Sequence, residues 1–220
     1  MTAPSSSSKA SSTVRLPIGE RILGAARDLF LERGYEGASV RAIARRARCS
    51  PGMIYHLYGS KEELLAQLVS QTLGKLEKRL AQCAGGPGTP LERLHKALGA
   101  YIDLALHHPH EYEFLFRHRD HPLPPRLLEV FQTHGMASYR WLLRLCEESR
   151  RAGLIRDPDA DPAELAQCLL AGVHGLAHFL NSARGFPFVA RSRLIRRHLQ
   201  VLLAGISGAA IFPEKNLYLD

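Results

Sequence analysis

Signals that start helices recur along this chain, and no signal for strands competes with them. Ser39 precedes an apolar-periodic run, Ser50 is followed by Pro51, and Ser60 has Glu63 three residues on. Thr89 stands before Pro90 and Glu92, and Asp161 before Pro162 and Glu164. In each case a short polar side chain can accept a hydrogen bond from an orphaned N–H of the first turn. Proline fits there because its missing N–H has no partner to lose, and an acid at the third position returns a bond to the cap. Apolar residues then follow at spacings of three and four, and nothing alternates with a period of two over a useful length. The fold class expected is all-α, with about nine helices and no sheet.

Placed in order, the first helix starts at Pro17, carries Ile18, Ile22, Ala25, Ala26, Leu29 and Phe30 on one face, and stops at Gly34. A short second helix capped by Ser39 turns Val40, Ile43, Ala44 and Ala47 inward and Arg41, Arg45 and Arg46 elsewhere. The third occupies residues 50–57, Gly59 breaks it, and a fourth runs over residues 60–82. The stretch AGGPGT, residues 84–89, is a turn by composition and the expected domain boundary. Further helices are predicted over residues 89–107, 109–118, 126–152, 161–182 and 190–208, separated by HPLPP, Gly153 and GFPF. With 220 residues, 45% of them apolar, the chain has material for one or two compact domains. The division expected is a disordered, basic, Ser-rich arm (1–16), a helix-turn-helix domain (17–64), a C-terminal domain (89–210) and a tail (211–220).

The formal charge of +8 favours an anionic partner, since Lys and Arg displace counterions from phosphate backbones. Cys49, Cys83, Cys146 and Cys168 lie far apart without a CxxC pair and read as reduced thiols of a cytoplasmic protein. No apolar run approaches the roughly 20 residues of a membrane span, and no secretory leader is evident. The GxSxG, HExxH, phosphate-loop and dinucleotide fingerprints are missing; Gly74-Lys75 is followed by Leu76 within a helix. The expectation is a protein that is not an enzyme and uses no cofactor.

Two short helices joined by a tight turn and braced by a longer one make a helix-turn-helix, whose second helix enters the major groove of DNA. Pro51, Gly52 and Met53 leave little bulk at the N-terminal end of that helix, where backbone N–H groups can meet a phosphate. Tyr55 and His56 offer polar tips, while Ile54 and Tyr58 face the small core. Residues 1–63 hold ten Lys or Arg against six Asp or Glu, so the positive charge is local to this module.

The run GYEGASVRAIARRARCSPGMIYHLYGSKEELL, residues 34–65, resembles the signature of the TetR family of bacterial repressors. That resemblance implies backbone contacts from Ser39 and Arg41, a groove face made by Pro51, Gly52, Met53 and His56, and phosphate grips by Tyr55 and Lys61, and Ser50 at the start of the third helix is a further DNA-binding candidate. Arg48 stands where the family's turn usually has glycine; if the position needs a positive φ, arginine carries strain of about 1 kcal/mol, and it is also a candidate phosphate contact.

The C-terminal half resembles a sensing domain of that family named for a Trp-His-Gly signature, of which His174 and Gly175 are present and Val173 replaces the tryptophan. Small residues Ala171, Gly172 and Gly175, with an apolar stripe including Leu199, Leu202, Leu203 and Ile206, are expected to form a homodimer interface. Candidate walls of an effector pocket are Tyr101, Phe114, Phe116, Phe131, Tyr139, Trp141, His174, His178 and Phe179. The function implied is a repressor released from a near-palindromic double-stranded DNA operator by a small molecule. Two alternatives stand beside it. One is a metal sensor using histidines, with His174 and His178 one helical turn apart; the other is a sequence-indifferent architectural DNA binder.

Overall fold

In the computed structural model, the residues described are 16–109, 111–112 and 125–207. The chain separates into two compact units, one up to Leu64 and one from Leu65 onward. Among the described residues there are nine α-helical segments with both ends described, the further helical residues 109, 111 and 112, one π-helical turn and no strand. None of the described helices is long and apolar enough to cross a membrane.

The first unit contains α1 (Ile18–Gly37), α2 (Val40–Ala47), α3 (Pro51–Tyr58) and the start of α4 (Lys61–Gly85). Ile22, Ala26, Leu29, Ile43, Ile54 and Leu64 are fully or almost fully buried, so each helix contributes to one small core. Helix α1 is interrupted where the sequence stops it, at Gly34 with φ 71°. Ser39 caps α2 by accepting from Ala42 N at 3.2 Å, and Ser50 caps α3 by accepting from Met53 N at 3.3 Å.

Between α2 and α3, Arg48 adopts the left-handed conformation (φ 53°, ψ 53°) and is the one non-glycine residue with positive φ among the described residues. A Cβ in that region crowds the following carbonyl. Arg48→Gly should therefore raise the stability of the protein by about 1 kcal/mol, read as an upward shift of the denaturation midpoint. An unchanged or lower midpoint would show that the turn carries no such strain.

Two long-range bonds fix this turn. The Arg21 guanidinium donates to Ala47 O at 2.5 Å and Arg48 O at 3.0 Å, satisfying carbonyls at the end of α2. The Tyr58 hydroxyl donates to Gly19 O at 3.0 Å, tying α3 back to α1. Arg46 is engaged by Glu32 through two bonds of 2.6 and 2.8 Å, an exposed pair that water and salt screen.

The second unit is built from the rest of α4, α5 (Pro90–His107), α6 (Pro125–Val130), α7 (Met136–Arg151), α8 (Pro162–Ser182) and α9 (Arg191–Ser207). The turn at residues 84–89 joins two helices of this same unit, since Leu80 and Ala84 share one core with Leu94, Leu98, Leu145 and Val173. Thr89 and Glu92 form the reciprocal capping box, and Asp161 caps α8 by accepting from Ala163 N at 2.9 Å. Gly153 (φ 68°) ends α7 with Leu154 N bonded to Ser149 O, as a glycine past a helix end does.

The unbroken helix predicted over residues 126–152 differs in one respect: a π-helical turn, Phe131–Gly135, separates α6 from α7. Thr133 and Ser138 hydroxyls donate to the carbonyls of Glu129 and His134, four residues back, each at 2.9 Å. Such back-bonding competes with the helical ladder and bends it. Gly135 is needed beside it, because a Cβ there would lie 3.0 Å from the Phe131 ring. Of the helix predicted over residues 109–118, the described residues Pro109, Glu111 and Tyr112 are helical, and the remainder lies outside the described residues.

Candidate nucleic-acid interface and effector cavity

Helix α3 is eight residues long, and Ile54 is its buried anchor. Pro51, Gly52, Met53, Tyr55, His56 and Leu57 are all exposed, with Tyr55 at 54% and Met53 at 38%. A short helix held by one isoleucine and one tyrosine hydroxyl thus presents its whole N-terminal end and outer face to solvent. Its first turn has no acidic residue, so the positive end of its dipole is left for an anion. Ser39, Arg41, Arg45, Arg48 and Ser50 are also exposed.

Lys61 is half-buried, and its ammonium donates to Tyr35 O at 3.0 Å while lying 4.0 Å from the centre of the Tyr35 ring. An ammonium has three donors, so this anchoring positions the charge and leaves two hydrogens for a phosphate. Arg21, which clasps the end of α2, was not evident as part of this site from sequence; its partners are 26 and 27 residues away.

The second unit contains a cavity of about 470 Å³, within the usual range for small-molecule sites. Tyr101, Phe131, Tyr139 and His174, four of the proposed wall residues, line it. Three do not. Trp141 is half-buried with the Arg144 guanidinium 5.5 Å from its ring centre, and His178 is exposed. Phe179 is 41% exposed and packs edge-on against Phe186 and Phe188, with centroids 4.9 Å apart in each case. Phe114 and Phe116 lie outside the described residues. Sequence reading missed the wall given by α4, notably Thr72, Leu76 and Leu80, and it missed Tyr112.

Tyr112 and Tyr101 converge on one histidine. The Tyr112 hydroxyl lies 2.5 Å from His174 Nδ1 and the Tyr101 hydroxyl 3.2 Å from the same atom. Burial pushes the Tyr101 phenol up to about 12 and raises that of Tyr112 as well, so both stay protonated at neutral pH. Burial, and then the neighbouring His178, lower the His174 pKa and favour its neutral form. The His174 and His178 rings stack with centroids 6.4 Å apart, and among the described residues no group of three or more His, Cys, Asp or Glu converges as a metal site.

The expected dimer surface needs correction. Leu199 and Leu203 are fully buried within the subunit, because α9 packs its leucine face against α5 and α8. Gly172 serves the same packing: a Cβ there would lie 2.8 Å from the Leu202 side chain of the same chain. Leu202 and Ile206 are half-buried against this core. Ala171 and Gly175 remain exposed, and a Cβ at Gly175 would meet nothing within 4 Å.

Comparison with known proteins accords with this geometry. Residues 22–68 match the model of the bacterial regulatory proteins of the tetR family, and residues 94–204 match the tetracyclin repressor-like C-terminal domain. The HTH-type transcriptional regulator HbdR of Aromatoleum sp. (strain CIB) is 36% identical over 81 residues, 37% of this chain and 35% of that protein. The match thus spans about a third of that relative's length. Among solved structures, FadR of Bacillus subtilis in complex with stearoyl-CoA superposes with a TM-score of 0.69 at 19% identity, covering 85% of this chain and 98% of that one. AibR in complex with isovaleryl coenzyme A and operator DNA gives 0.69 at 21% identity, with coverage of 85% and 98%. Proteins of this kind are DNA-binding transcription factors rather than enzymes, and with both halves matched the chain belongs to the TetR family of regulators.

Proposed function

We propose that the protein is a cytoplasmic repressor that binds a near-palindromic operator as a homodimer and leaves it when a small molecule fills the cavity of the second unit. The observation that carries this reading is α3, an exposed rod whose buried anchor is Ile54. Pro51, Gly52, Met53 and His56 face the groove, Ser39, Arg41, Arg48, Tyr55 and Lys61 hold the backbone, and Ser50 completes the DNA-binding set. Residues 17–64 form the DNA-binding domain, and residues 89–210 together with the rest of α4 form the sensing and dimerising one. Helix α4 starts at Lys61 and supplies Thr72, Leu76 and Leu80 to the cavity wall. An occupant that prefers one position of this helix shifts the population between DNA-competent and DNA-incompetent forms. The coenzyme A thioesters bound by FadR and AibR make acyl thioesters a reasonable first class of effector to test.

Fluorescence anisotropy with the protein's own upstream DNA and with random duplex, at two salt concentrations, tests the assignment. Tyr55→Phe should weaken binding to both duplexes alike. Lys61→Ala should also reduce the salt slope by about 1, and His56→Ala should alter preference among operator variants. Unchanged binding in all three variants would remove α3 from the groove. Equal affinity of the parent protein for both duplexes would favour the architectural alternative.

A further inference from the structure

Building on the reading of the cavity as an effector site, we propose that its occupant is an apolar chain bearing one uncharged oxygen function, a carbonyl or a hydroxyl, held at the Tyr101–Tyr112–His174 cluster. The cavity wall is mostly hydrocarbon, with Leu73, Leu76, Leu80, Phe131, Leu142 and Leu170 among its residues. Against this background the cluster concentrates two phenolic O–H groups and an imidazole around one nitrogen. The Tyr112 hydroxyl is also 3.2 Å from the His174 carbonyl, which fixes its place.

Such a group of neutral donors and acceptors suits a neutral oxygen. A phenol donates one hydrogen and accepts through its oxygen, so it can serve a carbonyl or a hydroxyl without a change of charge. Burial holds Tyr101 and Tyr112 protonated and favours neutral His174, so the cluster offers no full positive charge at neutral pH. The described residues lining the cavity include no Lys or Arg. A carboxylate entering it would lose its hydration without gaining a counter-charge from the described lining residues, a large penalty in an apolar site. A plain alkane would gain the apolar contacts and forgo the hydrogen bond. Free ketones and alcohols share the favoured chemistry with the thioester carbonyl of an acyl-coenzyme A.

The test is displacement of the neutral apolar dye Nile red from the full-length protein at pH 8 by 2-decanone, decanoyl-coenzyme A, decanoate and decane. The ketone, the thioester or both should compete at least tenfold more strongly than decanoate, and which of them does so identifies the source. Tyr101→Phe or Tyr112→Phe should weaken the favoured competitor by about tenfold relative to decane. Decanoate competing equally, neither oxygen compound competing, or an unchanged ratio to decane in both variants would overturn the proposal. Gln167→Trp, at an exposed lining position, separates the two levels of failure. If it abolishes dye binding, the cavity stands and a negative result falls on the ligand class alone; if dye binding is unchanged, the effector-site reading itself fails.

Discussion

Gly52→Glu is expected to leave the protein folded and to lower its affinity for operator DNA at least a hundredfold. Position 52 is exposed, and a Cβ built there has the Ser50 hydroxyl oxygen as its nearest neighbour, at 3.8 Å. A side chain therefore enters without displacing the core. Residue 52 is also in the first turn of α3, which has no acid of its own, so a carboxylate there complements the helix dipole by about 0.3–1 kcal/mol. Folding should be neutral or slightly favoured. On DNA the same carboxylate meets phosphates and base edges where the parent offers only a hydrogen. A hundredfold loss corresponds to about 2.7 kcal/mol, the scale of losing one charge-assisted bond and acquiring a repulsion. Thermal melting and anisotropy on the same sample separate the two effects. Retained melting with full DNA affinity would mean that the N-terminal end of α3 is not the groove-facing end.

Local chemistry was legible in the sequence where it depends on neighbours three or four residues apart. Ser39, Ser50, Thr89 with Glu92, and Asp161 each cap the helix that their spacing implied, and Gly34 and Gly153 stop the helices they follow. What escaped depends on which way a face turns. The leucines of α9 make an apolar stripe, but the stripe alone does not say whether it meets a partner subunit or its own; Leu199 and Leu203 meet their own. Aromatic residues behave similarly. Tyr112 reaches His174 across 62 residues, whereas Phe179, only five residues beyond His174, is exposed and packs with Phe186 and the half-buried Phe188. The π-helical turn was hidden because Thr133 and Ser138 tolerate either a regular helix or a back-bonded one, and the surrounding packing decides between them.

Gly175→Leu should convert the proposed homodimer to a monomer without unfolding either subunit. Gly175 lies within α8, is exposed, and has no atom within 4 Å of where its Cβ would project. Leucine also favours a helix interior over glycine by about 0.8–1 kcal/mol, so the substitution strengthens α8 as a helix. Loss of assembly would then be a property of the surface and not of a weakened fold. Ala171 is exposed one turn earlier on the same face, and two small residues at that spacing let another helix approach closely. A leucine holds the partner helix off, and light scattering should show the mass halved at concentrations where the parent is dimeric. Circular dichroism should show helicity retained. DNA binding should fall with it, since two recognition helices held at fixed separation engage two half-sites at once, and a single one gives up that gain. A Gly175→Leu protein that remains dimeric would place the subunit contact on another face of the second unit.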